Sequence, residues 1–218
     1  VKAMRDAVDL PVTVKHRIGV DRVESYEFVR DFVGTVAQAG CEVFIVHARN
    51  AWLQGLSPKE NREIPPLRYE IVHRLKREFP QLTIAINGGL KDDEAVAAQL
   101  EVLDGVMVGR EAYHNPYVMA GWDSRFFGDE RSVPGRSEVE AAMVAYCERQ
   151  QAEHGVPWPH IVRHMLGLYN GLAGARKWRQ VWSDHRLKAL PAAEVMKRAR
   201  EAMAASAASA REAAGASS

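Results

Sequence analysis

Four short apolar runs, each followed by a helical pattern, constrain the fold of this chain more than any other feature. The runs lie at residues 11–15, 43–46, 82–86 and 105–108, and the helical patterns at 25–39, 67–78, 92–103 and 111–119. Continuous apolar runs indicate strands that are covered on both faces. Strands that alternate with helices predict an α/β fold with a parallel sheet. An open doubly wound sheet and a barrel both fit this pattern.

Polar residues recur at the end of every predicted strand. The four clusters are Lys15-His16-Arg17, His47-Ala48-Arg49, Asn87-Gly88-Gly89 and Gly109-Arg110. Barrel enzymes build their sites at the carboxyl ends of their strands, so the clusters favour a barrel. Residues 1–8 have the pattern of the end of a helix, without its beginning. We therefore expect the C-terminal half of a (β/α)8 TIM barrel, followed by an all-α helical domain.

Composition predicts three segments along the chain. Residues 1–125 form the half-barrel, residues 138–201 a helical domain with a tryptophan core, and residues 202–218 an Ala/Ser-rich tail predicted to be disordered. Residues 160–201 contain nine Lys or Arg and three acidic residues. This local excess of positive charge suits a polyanion partner, although a solvated helical surface explains it equally well.

The cysteines and the apolar residues exclude several classes of protein. The two cysteines, Cys41 and Cys147, lie far apart and give neither a metal-binding spacing nor a disulfide framework. No apolar run approaches the roughly 20 residues that span a bilayer. The sequence therefore predicts a cytoplasmic protein that has no metal site, no membrane partner and no obligate protein partner.

The two last strand ends are typical of a phosphate site. Asn87, Gly88 and Gly89 follow the third strand, and Gly109 and Arg110 follow the fourth. Loops after the last two strands of barrels commonly bind phosphate, because glycines expose backbone N–H groups and an Arg adds a guanidinium. A tight turn beside a surface Arg is the structural alternative.

Two more strand-end residues are candidates for contacts with a flavin ring. Lys15 at the first strand end could stabilise the anion of a reduced flavin, or could form a Schiff base. His47 at the second strand end could hydrogen-bond the same ring or a substrate, or could be a structural histidine.

Basic residues outside the strand ends are candidates for RNA binding. The connection at residues 48–66 is long for a barrel loop and carries Lys59 and Arg62. Arg176 and Arg179 lie about one turn apart on a predicted helix. Such pairs can contact an RNA backbone.

These residues together resemble the tRNA-dihydrouridine synthases, most closely the DusA subfamily, over about residues 1–200. The resemblance rests on VKHRIGVD at 14–21, FIVHAR at 44–49, GLSPKENREIPPL at 55–67, INGG at 86–89 and VMVGR at 106–110.

The resemblance implies a function and assigns roles to residues. Members use NADPH to reduce FMN, and FMN to reduce the C5–C6 bond of uridines 20 and 20a in the tRNA D-loop. Lys15 and His47 would contact the flavin ring, and a second set would hold the FMN side chain and phosphate (Asn87, Gly88, Gly89, Gly109, Arg110). A third set would contact tRNA (Lys59, Arg62, Arg176, Arg179).

The family's general acid is a cysteine that would precede Val1, and neither Cys41 nor Cys147 lies at a strand end. We therefore nominate no catalytic residue, and we expect this chain alone to be inactive. Two other functions remain open. One is a different FMN barrel oxidoreductase, such as a dihydroorotate dehydrogenase-like enzyme, and the other is a non-catalytic RNA-binding protein.

Overall fold

The computed structural model describes residues 1–23 and 25–215. The chain divides into two compact units, one of residues Val1–Gly109 and one that begins at Arg110. Among the described residues, no helix has both the length and the apolar character needed to cross a bilayer.

The first unit consists of four strands, four helices and one short 3-10 turn. The strands are β1 (Val14–Arg17), β2 (Val43–His47), β3 (Thr83–Asn87) and β4 (Gly105–Met107). The helices are α1 (Lys2–Ala7), α2 (Tyr26–Gln38), α3 (Tyr69–Glu78) and α4 (Asp93–Leu100), and the 3-10 turn is Glu60–Arg62. Ser25 caps α2, because its Oγ accepts a hydrogen bond from the backbone N–H of Phe28 at 3.3 Å.

The sheet is parallel and its strands follow chain order, β1-β2-β3-β4. Doubly wound sheets reverse the strand order at a switch point, whereas consecutive units of a (β/α)8 barrel do not. The order therefore confirms the α/β prediction and agrees with four successive units of a barrel.

The register sorts the strand residues into two faces. Side chains alternate along a strand, and register partners share a face. Phe44, Val46, Ile84 and Ile86 share one face and are fully buried. The opposite face carries Lys15 in one row, with Ile45, Ala85 and Gly105 as its register partners. The next row consists of Arg17, His47, Asn87 and Met107. This second row therefore holds three residues from the predicted strand-end clusters side by side.

The second unit is all-helical around a tryptophan core. Its helices are α5 (Arg110–His114), α6 (Trp122–Phe127), α7 (Arg136–His154), α8 (Trp158–Val162), α9 (Ala175–Trp182) and α10 (Ala192–Gly215), with 3-10 turns at Pro116–Met119 and His185–Leu187. Trp158, Trp178 and Trp182 are buried, as the sequence predicts, and pack in one cluster.

The structure differs from the expected segment boundaries in two places. The compact units separate after Gly109, whereas the sequence placed the end of the half-barrel at residue 125. Helix α5 therefore belongs to the second unit; it is short and ends at His114, just before the 3-10 turn that begins at Pro116.

The second difference lies in the Ala/Ser-rich tail. Helix α10 continues through Gly215, where disorder was expected for residues 202–218; residues 216–218 lie outside the described part. Alanine is the strongest helix former, and Met203 packs against the tryptophan core. A Cβ added to Gly174 would lie 2.2 Å from the carbonyl oxygen of Met203, so the start of α9 rests directly on the backbone of α10.

Candidate functional site

A chain of two hydrogen bonds connects the polar strand ends of the first unit. Lys15 Nζ donates to Asn87 Oδ1 at 3.3 Å, and Asn87 Nδ2 donates to the carbonyl oxygen of Met107 at 2.7 Å. Burial lowers the pKa of Lys15, and the nearby charge of Arg17 lowers it further. The sheet therefore positions the Lys15 ammonium group beside Asn87, and this ammonium group loses its proton more readily than that of an ordinary lysine.

The Asn87-Gly88-Gly89 segment packs closely beneath His47 and Leu67. Gly88 has a φ of +119° and Gly89 a φ of +74°, values that favour glycine. A Cβ on Gly88 would lie 2.7 Å from Cδ2 of the buried His47, and one on Gly89 would lie 2.4 Å from Leu67 Cδ1. Tyr69 Oη donates to the Gly88 carbonyl oxygen at 2.6 Å. The positive φ values and the close packing together favour glycine at both positions.

Gly109, at the other predicted phosphate cluster, has a different environment. Its φ is ordinary for any residue, and no atom lies within 4 Å of a Cβ built there. A ligand can therefore approach this backbone without displacing a side chain. Arg110, the next residue, is exposed and is the first residue of α5.

Arg17 is a candidate site residue that the sequence reasoning did not nominate. Its Nη1 donates to the carbonyl oxygens of Asn50 at 2.6 Å and Asn61 at 2.8 Å. Burial lowers its pKa, and the charges of Arg49 and Arg62 lower it further. Three guanidinium groups therefore gather at this strand end. The signal was present in the sequence, because residues 15 and 17 of one strand face the same side.

Main-chain contacts hold the long loop in place. Arg49 Nη1 donates to the carbonyl oxygen of Glu63 at 3.1 Å and also to that of Pro65. Ser57 and Glu60 cap each other: Glu60 Oε2 accepts from the Ser57 N–H at 2.8 Å, and Ser57 Oγ accepts from the Glu60 N–H at 3.3 Å. The loop is thus an ordered element.

Of the predicted RNA contacts in the first unit, Lys59 immediately precedes the 3-10 turn and Arg62 ends it. Both side chains are exposed. Lys59 and Arg62 therefore lie three residues apart on the exposed surface of the ordered loop.

The second unit presents Arg176 and Arg179 on the exposed side of α9, while Trp178 and Trp182 of the same helix are buried. Within the described residues, neither arginine pairs with an acidic group. By contrast, the nearby Arg186 pairs with Asp184 at 2.7 Å. The α9 arginines thus offer positive charge that the protein itself does not neutralise.

A fully buried carboxylate, which sequence reasoning missed, fixes the orientation of α9. Glu140 Oε1 accepts the indole N–H groups of Trp178 at 2.7 Å and Trp182 at 3.1 Å. Its Oε2 accepts from Arg200 Nε at 2.7 Å and from Tyr169 Oη at 3.1 Å. Burial raises the pKa of Tyr169 to about 12, and the Glu140 charge adds to this effect. Four donors satisfy the buried charge.

Neither cysteine lies among the polar residues at the strand ends of the first unit. Cys41 and Cys147 are both buried, and burial raises the pKa of the Cys147 thiol. Within residues 1–23 and 25–215, no group of three or more His, Cys, Asp or Glu side chains is arranged to hold a metal ion.

The chain is similar to several curated proteins that share one name, tRNA-dihydrouridine(20/20a) synthase. The relative from Escherichia coli O6:H1 is 55% identical over 190 residues, which cover 87% of this chain and 57% of that protein. The relative from Vibrio cholerae is 52% identical over 91% of this chain and 61% of its own length. The one from Pseudomonas aeruginosa is 52% identical over 94% of this chain and 61% of its own length. The chain spans little more than half the length of these curated relatives.

Solved structures give only a weak likeness. A mandelate oxidase structure matches with a TM-score of 0.34 and 14% identity over 94% of this chain and 65% of that one, which supports no argument. The sequence profile of the dihydrouridine synthase (Dus) family, by contrast, matches residues 1–206. Together with the strand-end polar face and the basic helical unit, this match shows that the chain belongs to the dihydrouridine synthase family.

Proposed function

We propose that this chain forms the flavin-holding strand ends and the helical RNA-binding unit of a tRNA-dihydrouridine synthase. The reaction would be the NADPH-driven, FMN-dependent reduction of the C5–C6 bond of uridines 20 and 20a in the D-loop of tRNA, in the cytoplasm. The observation that carries the proposal is the hydrogen bond between Lys15 and Asn87 on one face of the sheet, in a chain that matches the family profile over residues 1–206.

The residues present fit a flavin mononucleotide. Gly109 exposes backbone that a phosphate could approach, since a Cβ there would meet no atom within 4 Å. Arg110, the next residue, adds an exposed guanidinium. Asn87, Gly88 and Gly89 would complete the support of the side chain and phosphate, while Lys15 and His47 would contact the ring edge. FMN would supply the hydride, and Lys15 would offset negative charge on the ring by proximity.

Unneutralised cations support tRNA as the macromolecular substrate. Lys59, Arg176 and Arg179 are exposed and pair with no acidic group in the described part of the chain. Arg62 lies beside Lys59 on the same loop. Contacts between such side chains and phosphates contribute affinity that does not depend on the base sequence. We therefore expect these contacts to position the tRNA on the protein.

The activity can be tested in a chimeric protein. This chain would replace the matched segment of the Pseudomonas aeruginosa relative, whose own residues supply the remainder. We expect the chimera to form dihydrouridine at positions 20 and 20a of a tRNA transcript when FMN and NADPH are present, measured by mass spectrometry of the digested RNA. A folded, flavin-loaded chimera without product, beside an active parent, would overturn the proposal.

A further inference from the structure

Three exposed aromatic rings form a cluster at the beginning of the second unit, which we call the aromatic platform (Tyr113, His114 and His164). The Tyr113 ring is 54% exposed. It meets the His164 ring edge to face at 5.9 Å and the His114 ring at 5.7 Å. Exposed rings that hold one another in place give a rigid apolar surface at low cost in conformational entropy.

Hydrogen-bond contacts on both ring nitrogens fix the orientation of His164. Arg163 Nε lies 3.1 Å from His164 Nε2, and Tyr113 Oη lies 3.3 Å from His164 Nδ1. The described residues place no acidic group against Arg163. The platform thus combines exposed rings with an adjacent positive charge that no acidic side chain of the described residues neutralises.

An apolar groove of about 330 Å³ adjoins the platform. Its lining includes Tyr117, Met119, Met143, Met165 and Leu168, and His164 belongs to it as well. The guanidinium of Arg136 lies 3.9 Å from the centre of the Tyr117 ring. Among the described residues, no carboxylate lines the groove.

We propose that the aromatic platform binds an unstacked base of the substrate RNA, with Arg163 on the adjoining phosphate. Unpaired RNA bases stack on exposed Tyr and His rings, and an arginine beside the rings attracts the phosphate. Cations at Arg163 and Arg136, with no acidic group in the groove, favour a polyanion over an acidic or neutral peptide. The inference rests on the proposed function, and adds to Arg176 and Arg179 a contact that depends on stacking.

The test compares Tyr113→Leu with Tyr146→Leu. Tyr146 is also exposed and also lies near an arginine, Arg149, but it does not belong to the aromatic platform. An unmodified tRNA transcript serves as the probe, and its affinity for the whole chain is measured by fluorescence anisotropy at several salt concentrations. We expect Tyr113→Leu to weaken binding about tenfold without changing the salt slope, because stacking releases no counterions. Tyr146→Leu should bind like the parent.

Two further variants distinguish the contribution of the Tyr113 ring from that of the Arg163 charge. Tyr113→Phe keeps the ring and should retain parental affinity, whereas Arg163→Gln should reduce the salt slope by about one. If the parent binds the transcript and Tyr113→Leu binds equally well, the platform is not an RNA contact and the proposed function is untouched. If the parent itself fails to bind tRNA, both proposals fail. Thermal unfolding of each variant verifies that the fold is retained.

Discussion

Glu140 Oε1 lies 2.7 Å from the indole nitrogen of Trp178, inside a unit whose residues 160–201 carry an excess of positive charge. The carboxylate is on α7, and the indoles of Trp178 and Trp182 are on α9, so two buried hydrogen bonds set the rotation of the helix that carries Arg176 and Arg179. The position of these two proposed RNA contacts therefore depends on a fully buried carboxylate.

Glu140→Ala should destabilise the protein by about 3–5 kcal/mol, because it leaves Arg200 and two buried indoles without their acceptor. The measurement is the free energy of unfolding in urea, followed by tryptophan fluorescence. Glu148→Ala is the matched control, since Glu148 lies on the same helix and is exposed; its cost should stay within about 0.5 kcal/mol. Equal effects of the two changes would contradict the role of Glu140.

Gly88→Ala should cost about 1–3 kcal/mol of stability and displace the His47 ring. Its φ of +119° strains any other residue, and the new Cβ would lie 2.7 Å from the ring. Gly55→Ala separates the two causes, because Gly55 has a φ of +81° but no atom within 4 Å of its Cβ position. The difference in unfolding free energy between the two variants measures the contacts of the new Cβ with His47 and Leu67, and a difference of zero would show that both side chains adapt freely.

Gly109→Ala should leave stability nearly unchanged and weaken FMN binding. The added Cβ meets no protein atom within 4 Å and φ is not positive, so folding is not penalised. A phosphate held by the backbone there would meet the new methyl group. Isothermal titration with FMN, beside thermal unfolding of the same variant, measures both quantities. Unchanged FMN affinity would place the phosphate elsewhere.

FMN affinity should decline as pH rises, beginning below the ordinary titration of a lysine. Burial, and then the charge of Arg17, lower the pKa of Lys15, so its ammonium loses its proton earlier than a free lysine does. The charge that attracts the flavin is therefore present at neutral pH and lost as pH rises through the lowered pKa. Lys15→Gln should remove this pH dependence, while Lys2→Gln, at the exposed Lys2, should keep it. A parental profile in Lys15→Gln would contradict the assignment.

The double change Arg176→Gln/Arg179→Gln should lower the salt slope of tRNA binding by about two, one for each lost phosphate contact. Arg186→Gln provides the control, because Asp184 already neutralises Arg186 at 2.7 Å. Anisotropy titrations from low to moderate salt give the slopes. A slope that is unchanged in the double variant would remove α9 from the RNA interface.

The sequence predicts the sheet well because its signals are local. Apolar runs such as residues 43–46 and the cap at Ser25 carry their structural information within a few positions. It also places His47 at the end of β2, because the end of an apolar run is visible in the sequence. The prediction that Lys15 ends the first strand is wrong, since β1 spans Val14–Arg17 and Lys15 is its second residue.

Other features depend on contacts between distant parts of the chain. Glu140 is a polar residue in a helix of mixed character, and only the packing of four distant donors makes it a core residue. The tail was expected to be disordered because it lacks large apolar residues after Met203, yet Met203 itself docks on the tryptophan core. Arg17 gains its importance from carbonyl groups 33 and 44 residues further along the chain.

The anchoring of the long loop by Arg17 has a consequence for how freely its sequence can vary. The closest acceptors are main-chain oxygens, of Asn50 and Asn61, which every amino acid at those positions would supply. Side chains between them can therefore change with little effect on the anchor. Insertion or deletion of a single residue there would move one oxygen away from the guanidinium, so the spacing of the loop matters more to this anchor than the identity of its residues.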